Sequence, residues 1–237
     1  MTENPVIVAL DLPKDEALEL ADSLRGRVRW LKVGMTLFYA EGPQIVSCLQ
    51  EKGFDIFVDL KLHDIPHQVA GAAAQIARLG AGMFTVHASG GFGMMSAAVE
   101  SSRRAAEEAG LAAPAVLAVT VLTSIDDAGL AEVGVSRNSL EQVRLLAELA
   151  KRAGVGGVVC SPWEAAEMRS LMGEGAFVVT PGVRPEWAEP GDQSRIATPK
   201  AALAAGASHL VIGRPITAAP VPAEATARIL SELEGDQ

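Results

Sequence analysis

The sequence predicts an α/β fold of the (β/α)8, or TIM, barrel class, as one catalytic domain over residues 1–237. Three observations lead there. Short β-rich runs alternate about eight times with longer Ala-rich helical stretches, and such alternation implies a parallel sheet. A chain of 237 residues suits a single α/β barrel. Polar residues stand at the carboxyl end of nearly every apolar run, where barrels of this class collect their chemistry. A doubly wound sheet is the alternative, but no GxGxxG follows the first run, as a dinucleotide fold would require.

Taken in order, Pro5–Leu10 (PVIVAL) is a buried strand and Lys14–Arg25 a helix, with Leu18 and Ala21 or Asp22 marking its faces. Arg29–Val33 is a strand and Thr36–Glu51 a helix. Asp55–Leu60 is the third strand. A helix from Ile65 to Leu79 follows it, with Pro66 tolerated in the first turn. Met83–Val86 and Ala115–Val119 are strands flanking a helix over Met94–Ala109. A broken stretch carries a short helix near Ile125–Ala131 and a longer one over Leu140–Ala153. Gly157–Val159 is a strand, Pro162–Met172 a helix and Phe177–Val179 a strand. A long loop, Thr180–Ile196, precedes a helix over Pro199–Ala205, a strand over His209–Ile212 and a last helix over Pro222–Glu234. Glycines such as Gly90-Gly91 and Gly156-Gly157 fall at loops.

Composition narrows the function. Hydrophobic residues make up 49% and charged residues 21%, which provides a substantial core. Only 4% is aromatic, so that core is mostly Ala, Val, Leu and Ile. A net charge of −9 argues against a nucleic-acid surface, which needs a basic stripe. The same charge is compatible with a small anionic ligand, because local Lys, Arg and backbone N–H groups can hold one inside an acidic protein. Cys48 and Cys160 both lie in apolar surroundings and are too few for a disulfide framework, which indicates a reducing compartment. No CxxC or HExxH pattern suggests zinc. The start, MTENPVIVALD, lacks the basic region and apolar core of a signal peptide. No run approaches the roughly 18 apolar residues of a membrane span. The expected location is the cytoplasm, with no membrane or nucleic-acid partner.

The chemistry centres on Phe57–Pro66, FVDLKLHDIP. Residues two apart on a strand share a face, so Asp59 and Lys61 point the same way, with Asp64 on the turn beyond. As a surface ion pair this group would be worth about 0–1 kcal/mol. At the carboxyl end of a barrel strand it reads instead as a site. The other strand ends deliver Asp11, Lys32, His87, then Thr120, Thr123 and Ser124, then Cys160 and Ser161, then Pro181, Gly182 and Arg184, and finally Gly213 and Arg214. Asp11, Lys32, Asp59 and Lys61 form alternating charges that stabilise one another. A lysine held as an ammonium is a proton donor rather than a Schiff-base nucleophile. That favours a step in which a carbanion forms and Lys61 protonates it.

The last two strands end in PGVR and IGRP, and in many barrels of this class those loops bind phosphate. Glycine lets backbone N–H groups approach, and Arg donates two parallel hydrogen bonds to the oxygens. The loop between them, AEPGDQSRIA, contains Gln193, and long loops in compact domains are often lids. His63 and His87 read as structural or supporting residues.

The stretch DLKLHDIP resembles the DxKxxDI signature of the orotidine 5′-phosphate decarboxylase family, the last enzymes of de novo UMP synthesis. The likeness runs nearly end to end: ALD at Asp11, KVG at Lys32, HASGG at His87, LTS at Thr123–Ser124, PGVR, GDQ at Gln193 and IGRP. Order and spacing look like the bacterial short form. The resemblance implies a decarboxylation that uses neither metal nor cofactor. By matching position it makes Lys61 the proton donor to carbon six of the pyrimidine and puts Asp59 beside the departing carboxylate. It brings Asp11 and Lys32 to the ribose hydroxyls, with Lys32 completing the catalytic array. Ser124, with Thr123 beside it, meets the pyrimidine amide edge. Gln193 bridges pyrimidine and phosphate, and Arg184, Gly213 and Arg214 hold the phosphate beside Pro181.

The family resemblance also implies a homodimer in which Asp64 and Ile65 enter the partner's site. One departure stands out. The family pattern follows DIP with an Asn-Thr pair whose Thr reaches the partner's ribose, whereas this chain has His67-Gln68, which leaves Gln68, a longer side chain, for that contact. Two other readings compete. A sister group sharing the barrel and the DxKxxD motif uses Mg²⁺ to act on sugar phosphates, and Asp11 and Asp64 would then be metal ligands. A non-enzymatic nucleotide-binding barrel would bind UMP without turnover.

Overall fold

A computed structural model describes residues 4–188 and 197–234. Eight parallel strands close into a barrel in sequence order. They are β1 (Val6–Ala9), β2 (Trp30–Gly34), β3 (Asp55–Leu62), β4 (Met83–His87), β5 (Ala115–Val119), β6 (Gly157–Val159), β7 (Phe177–Thr180) and β8 (His209–Ile212). The helices between them are α1 (Lys14–Leu24), α2 (Met35–Glu41), α3 (Gln44–Glu51), α4 (Pro66–Arg78), α5 (Gly91–Ala109), α6 (Asp127–Glu132) and α7 (Ser139–Arg152). The series continues with α8 (Ala165–Met172), α9 (Pro199–Ala204), α10 (Arg214–Thr217) and α11 (Pro222–Glu234). The predicted barrel is therefore the observed one. Among the described residues no helix is long and apolar enough to cross a membrane.

Most strand residues are buried, which is why the strands read as continuous apolar runs. One face meets the helices and the other fills the barrel, so β1 reads VIVA with every residue buried. Side chains alternate along each strand, and Ile7, Trp30, Phe57, Met83, Leu117 and Val179 form a closed cluster inside the barrel. The other parity, including Val8, Leu31, Ile56, Val58 and Phe84, packs outward in the larger core shared with the helices. The two parities fix which side chains reach the carboxyl-end mouth: those two positions further along from the interior cluster.

Several helix ends differ from the sequence expectation. The stretch predicted as one helix over Thr36–Glu51 is two, α2 and α3, broken at Gly42-Pro43, where Pro43 lacks the N–H a continuous helix needs. The helix expected from Pro162 begins only at Ala165. The helix expected from Met94 starts at Gly91, after a 3-10 turn over Ala88–Gly90. The short α10, unforeseen, follows β8 with Pro215 in its first turn. Helix α7 is capped as its sequence demands: Asn138 accepts from the Glu141 N–H, and the Glu141 carboxylate accepts in return from the Asn138 N–H.

Strand β3 departs most from regular geometry. Its partner pairs with β4 run Phe57–Met83 and Val58–Phe84, then jump to Leu62–Val86. Asp59, Leu60 and Lys61 thus stand opposite a single residue, Thr85. Such a bulge re-aims side chains and is frequent beside sites. Within it Lys61 takes φ +53°, the one positive φ of a residue other than glycine among the described residues. On the other side, pairing with β2 stays regular up to Gly34–Asp59.

Candidate active site

The carboxyl ends of the strands enclose a cavity of about 590 Å³, within the usual size for a small-molecule site. Its floor is apolar: Phe57 of the interior cluster and Val159 and Val211 packed against it, together with Ala9 and Val119, two residues beyond Ile7 and Leu117 of that cluster. Its rim carries Asp11, Lys32, Asp59 and Lys61 on one side and Pro181, Arg184, Gly213 and Arg214 on the other, with Thr123 between.

The four rim charges form one row. Lys32 Nζ donates to Asp11 Oδ1 at 3.1 Å and lies 3.6 Å from Asp59 Oδ2. Lys61 Nζ donates to Asp59 Oδ1 at 2.9 Å. Lys32 and Asp59 are the buried centre of the row, with side chains 9% and 13% exposed, while Asp11 reaches solvent. Burial disfavours the Asp59 charge, but Lys32, Lys61 and hydrogen bonds from Lys61 and Thr85 outweigh it and hold the carboxyl below its usual range. Lysines and carboxylates alternate along the row, so the buried Asp59 carboxylate faces a lysine on either side.

The backbone makes room for the row. A Cβ at Gly34 would lie 2.9 Å from both Asp11 Oδ1 and Lys32 Nζ, so the glycine of KVG lets this ion pair cross over β2. On the far rim Gly182 turns the chain after β7 at φ +77°, the left-handed region that suits glycine.

Sequence reasoning brings nine of its site residues to this cavity: Asp11, Lys32, Asp59, Lys61, Thr123, Pro181, Arg184, Gly213 and Arg214. Ser124 is exposed and does not line it, although Val121, Leu122 and Thr123 before it do. Asp64 and Ile65, on the β3–α4 turn, and Gln68, in the first turn of α4, are exposed and do not line the cavity of their own chain. The Asp64 carboxylate accepts from the Ile65 N–H at 2.6 Å, which fixes the turn. Gln193 lies outside the described residues. His63 and His87 lie tilted against each other with ring centroids 5.4 Å apart and do not line the cavity. Burial, then His63 and Lys61, push His87 below the usual histidine range, so it stays neutral near pH 7.

Two features escape sequence reading. The apolar wall of Leu12 and Val121 gives no motif, and Leu122, the leucine of LTS, carries no sign of facing the cavity. Thr85, 1% exposed, donates to Asp59 Oδ1 at 2.9 Å and accepts from the Lys61 backbone N–H at 2.9 Å. The only signal for it was one hydroxyl in the otherwise apolar run MFTV.

Comparison with known proteins points one way. The family model described as orotidine 5′-phosphate decarboxylase / HUMPS family matches residues 4–229. An orotidine 5′-phosphate decarboxylase of Paramagnetospirillum magneticum is 51% identical over 231 residues, covering 97% of this chain and 98% of that protein. One of Alkalilimnicola ehrlichii is 51% identical over 234 residues, covering 98% and 97%. The crystal structure of orotidine 5′-phosphate decarboxylase from Lactobacillus acidophilus superposes with a TM-score of 0.86 at 40% identity, covering 98% of this chain and all of that one.

Proposed function

The chain belongs to the orotidine 5′-phosphate decarboxylase / HUMPS family, and from that premise we propose that it converts orotidine 5′-phosphate to UMP and carbon dioxide without metal or cofactor. The observation that carries the reading is the row Asp11–Lys32–Asp59–Lys61 facing a glycine- and arginine-bearing rim across one cavity.

The chemistry follows from that arrangement. The bond between carbon six and its carboxylate breaks, carbon dioxide leaves, and the electron pair stays on carbon six. Lys61 then gives its ammonium proton to that carbon and is left neutral until water reprotonates it. No ring position delocalises the pair well, so stabilisation must be electrostatic, and the Lys61 cation supplies it where charge develops. Asp59 opposes the substrate carboxylate in the ground state and ceases to once that group departs as neutral carbon dioxide. Asp11 and Lys32 take the ribose hydroxyls, Thr123 the pyrimidine edge, and Arg184, Arg214, Pro181 and Gly213 the phosphate end; Ser124, outside the cavity lining, is assigned to the pyrimidine edge on the family resemblance alone. Gln193 is assigned the bridge between pyrimidine and phosphate on sequence alone. Phosphate binding far from carbon six contributes free energy that orients the reacting end.

The same reading makes the protein a homodimer with Asp64, Ile65 and Gln68 reaching into the partner's site. Ile65 is 63% exposed and Tyr39 73%, and Met35 and Phe92 are also exposed, all just after the neighbouring strands β2, β3 and β4. An apolar surface of this kind suits burial against a second copy. Both cysteines are free, which suits a reducing cytoplasm.

The deciding experiment follows orotidine 5′-phosphate loss spectroscopically in metal-free buffer containing EDTA. Full activity is expected. Complete loss restored by Mg²⁺ would replace this reading with the metal-dependent chemistry, and UMP binding without turnover would replace it with a binding role.

A further inference from the structure

We propose that Thr85 is the positioning residue that sets both the backbone and the charge of the Lys61–Asp59 pair, an inference that rests on the decarboxylase reading for its kinetic consequences. Thr85 lies beneath the cavity, inside the barrel, two residues along β4 from Met83 of the interior cluster. It lines no wall of the cavity and meets no substrate.

Its position follows from the bulge in β3. Regular pairing would give the Lys61 N–H a backbone carbonyl of β4. Three residues of β3 stand opposite one of β4, and Thr85 Oγ1 accepts that N–H at 2.9 Å. A buried N–H without an acceptor is costly, so this hydroxyl is what lets Lys61 hold φ +53°.

A hydroxyl has one proton to give. With the Lys61 N–H pointed at its oxygen, the Thr85 proton points elsewhere, and Asp59 Oδ1 lies 2.9 Å away. Lys61 Nζ donates to the same carboxylate oxygen, also at 2.9 Å. Thr85 therefore closes a small ring: Lys61 backbone to Thr85, Thr85 to Asp59, Asp59 to the Lys61 ammonium. The ring orients the carboxylate and sets where the ammonium can reach. It also favours ionised Asp59, since a carboxylate accepts both protons.

Three variants test it. Thr85→Val keeps the shape and removes the hydroxyl, Thr85→Ala removes hydroxyl and methyl, and Thr85→Ser keeps the hydroxyl. Thr85→Val and Thr85→Ala are expected to lower kcat by tenfold or more with KM changed less than threefold. The acid limb of their kcat profile should move to higher pH. Thr85→Ser should recover most of kcat.

Amide hydrogen exchange supplies a readout independent of turnover: the Lys61 N–H should exchange at least tenfold faster in Thr85→Val and be protected in Thr85→Ser. If wild-type protein turns over nothing, the decarboxylase reading fails, while the exchange result still decides Thr85's role. Wild-type kcat and a protected Lys61 amide in Thr85→Val would overturn the inference. So would equal impairment in Thr85→Ser, which would assign the effect to packing. If Thr85→Val does not fold, the contrast of Thr85→Ser with Thr85→Ala decides in the same way.

Discussion

Lys61 Nζ donates to Asp59 Oδ1 at 2.9 Å from a backbone turned to φ +53°. A residue with a Cβ in that region costs on the order of 1–2 kcal/mol, so the contact is made against local strain. Lys61→Ala and Lys61→Gly both remove the proton donor, and each should lower kcat by roughly 10²-fold or more. UMP should still bind through the phosphate end. The two variants should differ in stability, with Lys61→Gly more stable by about 1 kcal/mol because glycine accepts the left-handed backbone. Urea midpoints read that difference. Equal midpoints would remove the strain, and near-normal turnover in Lys61→Ala would remove the mechanism.

Gly34 separates site from scaffold in a second way. Its φ of −89° and ψ of −179° suit any residue, yet an added Cβ would meet the ends of Asp11 and Lys32 at 2.9 Å. Both are tips of long or solvent-facing side chains, so in Gly34→Ala they yield and the fold does not. The unfolding midpoint should stay level or rise slightly, since alanine restricts the unfolded chain. KM should rise by about tenfold, equivalent to roughly 1.4 kcal/mol of lost binding to the ribose side. Unchanged steady-state constants would show that the Asp11–Lys32 pair has no part in holding substrate.

The barrel was legible because its signal is repeated. Eight apolar runs with polar ends hold the same period whether or not one boundary is misplaced, and nine of the site residues followed from counting strand ends. The two-residue period also led to the Asp59–Lys61 contact, but by a route the structure alters. The bulge between Val58 and Leu62 makes the strand irregular there, and the pair meets through a turned backbone. Register with a neighbouring strand leaves no mark in a single run, so the bulge could not be read. Nor could Thr85, because threonine is an ordinary strand former and its hydroxyl is silent until its partners are known. The break at Gly42-Pro43 is legible in the sequence, since Pro43 cannot supply the N–H a continuous helix needs.

The opposite end of the barrel carries a pH-dependent load. His209, 9% exposed, lies edge-on to Trp30 at 6.3 Å and tilted on Phe177 at 5.2 Å. Burial first, then nearby Arg29, push it down from 6.5 to about 4. A histidine whose folded value is depressed must be neutral to stay folded. Its contribution is complete above the unfolded value and is lost as pH falls from about 6.5 toward 4, reaching on the order of 3 kcal/mol. Between pH 7.5 and pH 5 the wild type should lose about 2 kcal/mol through this group. His87, also depressed, acts in the same direction, so the comparison is with His209→Leu rather than with theory alone. Urea unfolding of that variant should show a shallower decline over the same window. Parallel declines for the two proteins would remove His209 as the source.

The exposed β3–α4 turn gives the sharpest test of the proposed dimer. Asp64 lies three residues beyond Lys61, yet it is exposed and lines no wall of its own cavity. If it serves the partner's site, each active centre takes Lys61 from one chain and Asp64 from the other. A mixed dimer of Lys61→Ala with Asp64→Ala then has one centre carrying both defects and one carrying neither. Each variant alone should be inactive, and verified mixed dimers should regain about half the activity of a wild-type dimer, as closed two-fold sharing requires. Ile65→Asp, which charges the exposed apolar side chain on the same turn, should shift the protein toward monomer in sedimentation and lower activity with it. Mixed dimers that stay inactive would show that each chain completes its own site.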